Sequence, residues 1–282
     1  MNRICLFASE VAIITGHNKY EKIDKVTHRL LAEYFPRKYN ILVKKMKDQR
    51  VDIIPADKTE HLKKIINEAG ISKESKKVIE STLKKTVDSN NSKEFLENQN
   101  RLIKKIQDEI VKKQGGPISK ELKQTVKETV RGSTNTNYGI KNENKGTIEY
   151  TRITGNPVME YNKFVKMPLF NDESLELSVI LGGRVDGVLL DHTGKISGVV
   201  EVKNRTARLF YSLRDYEKVQ TMIYMKLFNL NELDLIEILR KKDDTIESNI
   251  INIPFDNEFW EEQIYNRIKI YIADFLQTYI LE

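Results

Sequence analysis

The segment Arg184-Val-Asp186-Gly, followed across a short turn by Val199-Val-Glu201-Val-Lys203, puts two carboxylates and a lysine where a sheet ordinarily buries valines. Side chains alternate across a strand, so Glu201 and Lys203 share one face and Val200 and Val202 the other. Burying an acid and an ammonium beside a third charge costs several kcal/mol unless the groups pair or hold a metal, and two neighbouring carboxylates repel when ionised. A divalent cation resolves that repulsion. Hard oxygen ligands, with no cysteine or histidine in the motif, point to Mg²⁺ or Mn²⁺ rather than zinc. Downstream, Tyr216-Glu-Lys-Val-Gln220-Thr-Met-Ile-Tyr224 has helical character and sets Gln220 and Tyr224 on one face, four residues apart. Taken alone, the carboxylates and lysine also suit an exposed strand with a surface ion pair.

Several elements must position these residues. Strands are expected at about 160–170 and 174–181, leading into Gly182-Gly183, with Asp191–Lys195 as the turn joining the motif strands. Later strands are expected at 235–239 and 250–253. An amphipathic helix over 259–281 closes the chain, with Trp260, Ile264, Ile268, Ile272 and Phe275 three or four apart. The stretch from Tyr138 reads as a helix closed by Gly155 and broken by Pro157. Near the start, Ser9 is a good N-cap, with Ala12 in place of the acid or amide of a full capping box. A helix start with free N–H groups and a hydroxyl suits an anion. Helix, mixed sheet and helix together predict an α/β fold, a three-layer α/β/α core with a mixed central sheet.

The 282 residues, 39% of them hydrophobic, can bury one substantial core with room for an appended unit. No apolar run approaches membrane-spanning length and no signal peptide is legible, so a soluble, intracellular, cytoplasmic protein is expected. The single cysteine, Cys5, excludes a disulfide framework or an iron–sulfur cluster, and four scattered histidines make no zinc constellation. Charge is unevenly placed. Residues 41–130 hold 21 Lys+Arg against 14 Asp+Glu, more than the whole +6 excess of the chain. Helices are expected there at about 57–69, 73–87, 92–113 and 118–130. The division is then a core of 1–40 and 131–282 with a lysine-rich helical insertion at 41–130, either a solvated excursion or a clamp whose lysines follow DNA phosphates.

In chain order, Ala8-Ser9-Glu10-Val11, Gly139-x-x-x-Glu143, Asp186, Glu201-x-Lys203 and Gln220-x-x-x-Tyr224 resemble the PD-(D/E)XK nuclease superfamily, and within it the lambda-exonuclease and YqaJ-type viral recombinase family. The resemblance covers residues 3–22 and about 137–230. It implies a restriction-endonuclease-like core and a metal-dependent deoxyribonuclease that digests one strand of duplex DNA 5′ to 3′ from an end, for recombination, repair or replication. By the same resemblance Asp186, Glu201 and the carbonyl of Val202 bind metal. Glu143 is the further acid near a second Mg²⁺ or Mn²⁺, with Glu149 as its competitor. Lys203 orients or deprotonates the attacking water, Gln220 holds water and lysine, and Tyr224 approaches the substrate backbone. Ser9, with Arg3 or Arg184, receives the terminal 5′-phosphate. The implied partners are double-stranded DNA ends, a single-strand annealing protein and further copies of the chain in a ring trimer. No membrane is implied, and a viral source would put the protein in the host cytoplasm. The chain departs from the family in its longer segment before Tyr138 and in Arg184, which also suits a structural ion pair. Two other readings share the residues: a structure-specific or restriction-like endonuclease, and a catalytically inactive DNA-end-binding module, which the intact Asp186, Glu201 and Lys203 disfavour.

Overall fold

The computed structural model describes residues 2–49, 58–173, 176–243 and 245–281. Strand β1 (Asn2–Phe7) runs directly into helix α1 (Ala8–Ile14), then α2 (Ile23–Tyr34) and α3 (Pro36–Asp48). Helices α4 (Lys58–Glu68), α5 (Lys73–Val87), α6 (Ser92–Gln114), α7 (Lys120–Lys141) and α8 (Glu143–Thr154) follow. Strands β2 (Met159–Glu160), β3 (Val165–Asp172), β4 (Leu177–Gly183), β5 (Gly187–Leu190) and β6 (Ile196–Arg205) lead to helix α9 (Asp215–Phe228). Strands β7 (Glu232–Arg240) and β8 (Ile246–Pro254) precede a helical close made of α10 (Asn257–Phe259), a wider π-helical stretch (Trp260–Tyr265) and α11 (Asn266–Leu276).

The strands form two mixed sheets, β1-β4-β3 and β2-β5-β6-β7-β8, where one central sheet was expected. The pairs β1·β4 and β6·β7 are parallel and the others antiparallel. The split falls between Gly183 and Gly187, so Asp186 lies where the chain leaves one sheet for the other. Helices cover both faces of the five-stranded sheet. On one face α9 brings Val219, Met222 and Ile223 into a core shared with α1, α2 and α11. On the other, Tyr150 of α8 packs with Val200, Val202, Ile236 and Ile238. This is the α/β/α layering expected. Gly146 lets α8 lie this close, because a Cβ there would run into the Val202 side chain.

Helices α4 to α7 bury a second apolar cluster, including Leu62, Ile79, Leu102, Ile106, Ile110, Val126 and Val130. Both expected edges of the insertion, 41 and 130, fall inside helices α3 and α7. The helix expected at 118–130 runs on to Lys141. The polar run Arg131–Asn137, which lies between two expected helices, is part of this one helix and bonds within the helical unit. Gln99 donates to Thr134 and Asn135 at 2.7 and 3.0 Å, and Asn137 donates to the Ser133 carbonyl at 2.8 Å. The helix expected from Tyr138 therefore divides. Asn142, whose amide donates to the Tyr138 carbonyl at 2.7 Å, ends α7, and α8 starts at Glu143 and closes at Gly155 in the left-handed conformation (φ +74°). Position 57 of an expected helix and positions 174–175 of an expected strand lie outside the described residues. Among the described residues no helix is long and apolar enough to cross a membrane.

Candidate active site

A cleft of about 740 Å³ opens where α1, α7, α8, β6 and α9 meet around the sheet switch. Its lining includes Ser9, Glu143, Arg184, Asp186, Glu201, Val202, Lys203, Gln220 and Tyr224, so residues far apart in sequence share one space. Strand alternation puts Glu201 and Lys203 on the cleft face of β6 and Val200 and Val202 against α8. Lys203 Nζ donates to Glu201 Oε1 at 2.6 Å and to Gln220 Oε1 at 3.0 Å. Gln220 Nε2 in turn donates to the Tyr224 hydroxyl at 2.7 Å. The helical spacing of Gln220 and Tyr224 thus becomes a relay that ends on the lysine. Gly183 makes room for the Tyr224 ring, since a Cβ there would meet its Cε1 at 2.8 Å.

Asp186 Oδ2 accepts the Val202 N–H at 2.8 Å, which ties the switch segment to β6. Glu201 Oε2 is buried without a hydrogen-bond partner among the described residues. Burial first, then Glu143, pushes the Asp186 carboxyl above the ordinary range, and burial followed by Asp186 does the same to Glu201. Glu143 is raised too, by burial and by Glu201. Burial works against the Lys203 ammonium, but Glu201 and Asp186 outweigh it and raise its pKa, so the side chain is a cation. Burial holds the Tyr224 phenol well above its usual value. An orphaned carboxylate oxygen in a cleft that a second carboxyl also lines suits a hard divalent cation. Among the described residues no three acidic, histidine or cysteine side chains converge as a ready-made metal cluster, so the donors fit as the pair Asp186 and Glu201, with Glu143 across the cleft.

Two expectations are corrected. Ser9 is not the N-cap: β1 pairs with β4 as far as Phe7, opposite Gly182, and the helix begins one residue later. Phe7 is the cap residue, its N–H donating to Glu10 Oε2 at 3.1 Å, and Glu10 is held by Arg29 at 2.5 and 2.6 Å. Ser9 remains exposed and lines the same cleft as Arg184. Arg3 is not brought there. It lies four residues before Phe7 on the extended strand, roughly 13 Å away. Of the two competing acids, Glu149 faces elsewhere, bonded to Arg152 at 2.8 Å and Ser248 at 3.0 Å, and the cleft holds Glu143.

Sequence reasoning missed a buried ion cluster beneath the cleft. Arg205 Nε donates to Glu237 at 2.7 Å and its other two nitrogens donate to Glu217 at 2.7 and 3.1 Å, with both glutamates fully buried. The available signal was the alternation itself, which carries Glu201, Lys203 and Arg205 along one face. It also missed the wall that α7 supplies through Asn135, Thr136, Gly139 and Ile140.

No family model matches this chain, and no curated protein matches it either. Among solved structures it is similar to an alkaline exonuclease from Laribacter hongkongensis, at 14% identity over 65% of this chain and 80% of that one, with a TM-score of 0.38. It is also similar to a phage-related exonuclease from Haemophilus somnus 129PT, at 14% identity over 51% and 71%, with a TM-score of 0.35. Both are exonucleases, the kind of enzyme the sequence motifs resemble.

Proposed function

We propose that this chain is a divalent-metal-dependent deoxyribonuclease that digests one strand of duplex DNA 5′ to 3′ from an end. The observation that carries the reading is Lys203, a half-buried cation held by Glu201 and Gln220 in the cleft that Asp186 also lines. Asp186 and Glu201 would hold Mg²⁺ or Mn²⁺, which when bound polarises the scissile phosphate and lowers the pKa of water. Lys203, already charged, orients the nucleophilic water and stabilises negative charge growing on the phosphoryl oxygens rather than abstracting a proton. Gln220 fixes the lysine, and Tyr224 fixes the glutamine. Arg184 and Ser9 face the strand's terminal phosphate, Arg184 through a two-pronged contact. With Mg²⁺, 5′-labelled linear duplex should lose its label to mononucleotides while closed circular DNA stays intact. Nicking or linearisation of the circle would make the enzyme an endonuclease, and DNA bound but uncut would leave only an end binder.

The metal assignment has a test that needs no turnover. Raised carboxyls make the metal-free folded protein bind more protons than the unfolded chain, whose acids titrate near ~4. Stability from this pair therefore falls as pH rises out of that range. Mg²⁺ binds the ionised pair and offsets the repulsion, so it should raise Tm at pH 8 and leave it unchanged near pH 5. Asp186→Asn should abolish the shift at pH 8. An equal Mg²⁺ shift in that variant would remove Asp186 from the metal site.

A further inference from the structure

The loop between β6 and α9 builds a second concavity, of about 720 Å³, directly beyond the cleft. Phe210 is its centre. Three guanidinium groups lie over that one ring: Arg214 at 3.7 Å, Arg205 at 4.6 Å and Arg208 at 5.7 Å from the centroid. Arg205 is committed to Glu217 and Glu237, whereas among the described residues neither Arg208 nor Arg214 pairs with a carboxylate. Stacking fixes the plane of a guanidinium and leaves its N–H fork free, which is how arginine meets a phosphate.

The loop is held rigid from below. Glu237 accepts the backbone N–H groups of Phe210 at 3.2 Å and Tyr211 at 2.9 Å. Tyr211 sits at φ +57°, a conformation costly for a bulky residue, and the residue is 63% exposed with its hydroxyl donating to Glu247 at 2.9 Å. The backbone is thus strained to present an aromatic face beside two unpaired arginines.

From this arrangement we infer that residues 207–214 form a second nucleic-acid subsite, which grips the phosphates of a single strand next to the cleft, with Tyr211 as a stacking face for a base. The inference rests on the nuclease reading and extends it. Arg208 is five residues from Lys203, at most ~18 Å along extended chain. A strand with phosphates every ~3.4 Å or more spans that distance in about five nucleotides, within the footprint of single-strand grooves.

The test measures binding of a fluorescent 12-nucleotide single strand in EDTA, beside hydrolysis of bis(p-nitrophenyl) phosphate with Mg²⁺. Arg208→Gln with Arg214→Gln should weaken strand binding about tenfold or more. The slope of log affinity against log salt should become shallower by about 1.4, two contacts at ~0.7 each. Hydrolysis of the small diester should be unchanged, because it does not reach the loop. Should the double variant fold poorly, the exposed Arg208→Gln alone must show half the change in slope. If the unaltered protein cuts DNA but the variants bind the strand with the same affinity and slope, the subsite is overturned and the nuclease stands. If the unaltered protein neither binds nor cuts nucleic acid, both fall.

Discussion

Lys203→Ala lowers DNA cleavage at saturating Mg²⁺ by at least about a hundredfold, while duplex binding persists. The lysine touches both Glu201 and Gln220, and a charged contact that strengthens as charge builds on the phosphate is worth several kcal/mol in the barrier. Asp186→Asn has a loss of similar size with a distinguishing sign in stability. It relieves the repulsion that raises Glu201, so the metal-free variant melts higher than its parent even as cleavage disappears. Single-turnover cleavage of end-labelled duplex measures the first, and calorimetry without metal measures the second. Activity of Lys203→Ala within about twofold of the parent would sink the assignment, since no transition-state contact is that small.

Arg205→Met should cost about 3–5 kcal/mol, the range for stranding buried charges. Glu217 and Glu237 would keep their burial and lose their shared cation. Burial pushes Glu217 up, but Arg205 more than offsets it and holds the carboxyl below its usual range. Without Arg205 that balance reverses. The variant's folded state would then take up a proton at Glu217 that the unfolded chain does not, so acidification from pH 7.5 towards 5 recovers part of the loss, whereas the parent gains nothing from Glu217. Urea unfolding at the two pH values reads this directly. A cost under about 1 kcal/mol, typical of a surface pair, would mean the cluster is hydrated rather than buried.

Much of the site was legible because strand and helix periodicities are local. The alternation Glu201-x-Lys203 and the four-residue step from Gln220 to Tyr224 each fix a face without knowledge of partners. What joined them was not local. The parallel register that sets Lys203 opposite Glu237 and Arg205 opposite Leu239 depends on β7, and nothing in the β6 sequence specifies it. The cap at Phe7 was hidden for the same reason, since strand pairing with β4 decided where the helix could begin. The polar run 131–137 fell between two expected helices, because the bonds that Thr134 and Asn135 accept come from Gln99 on another helix. Glu143 and Glu149 could not be separated by spacing, because the break at Asn142 and the close approach allowed by Gly146 set which acid meets the cleft.

Helix α7 carries one further implication. Its 22 residues make a rod of about 33 Å, with Val126 and Val130 embedded in the distal helical cluster and Gly139 and Ile140 in the wall of the cleft. Between those two ends the rod carries Gly132-Ser133, where a helix bends most easily. Any swing of the lysine-bearing helices relative to the carboxylates must therefore bend α7, and Gly132-Ser133 is the place where that bend costs least.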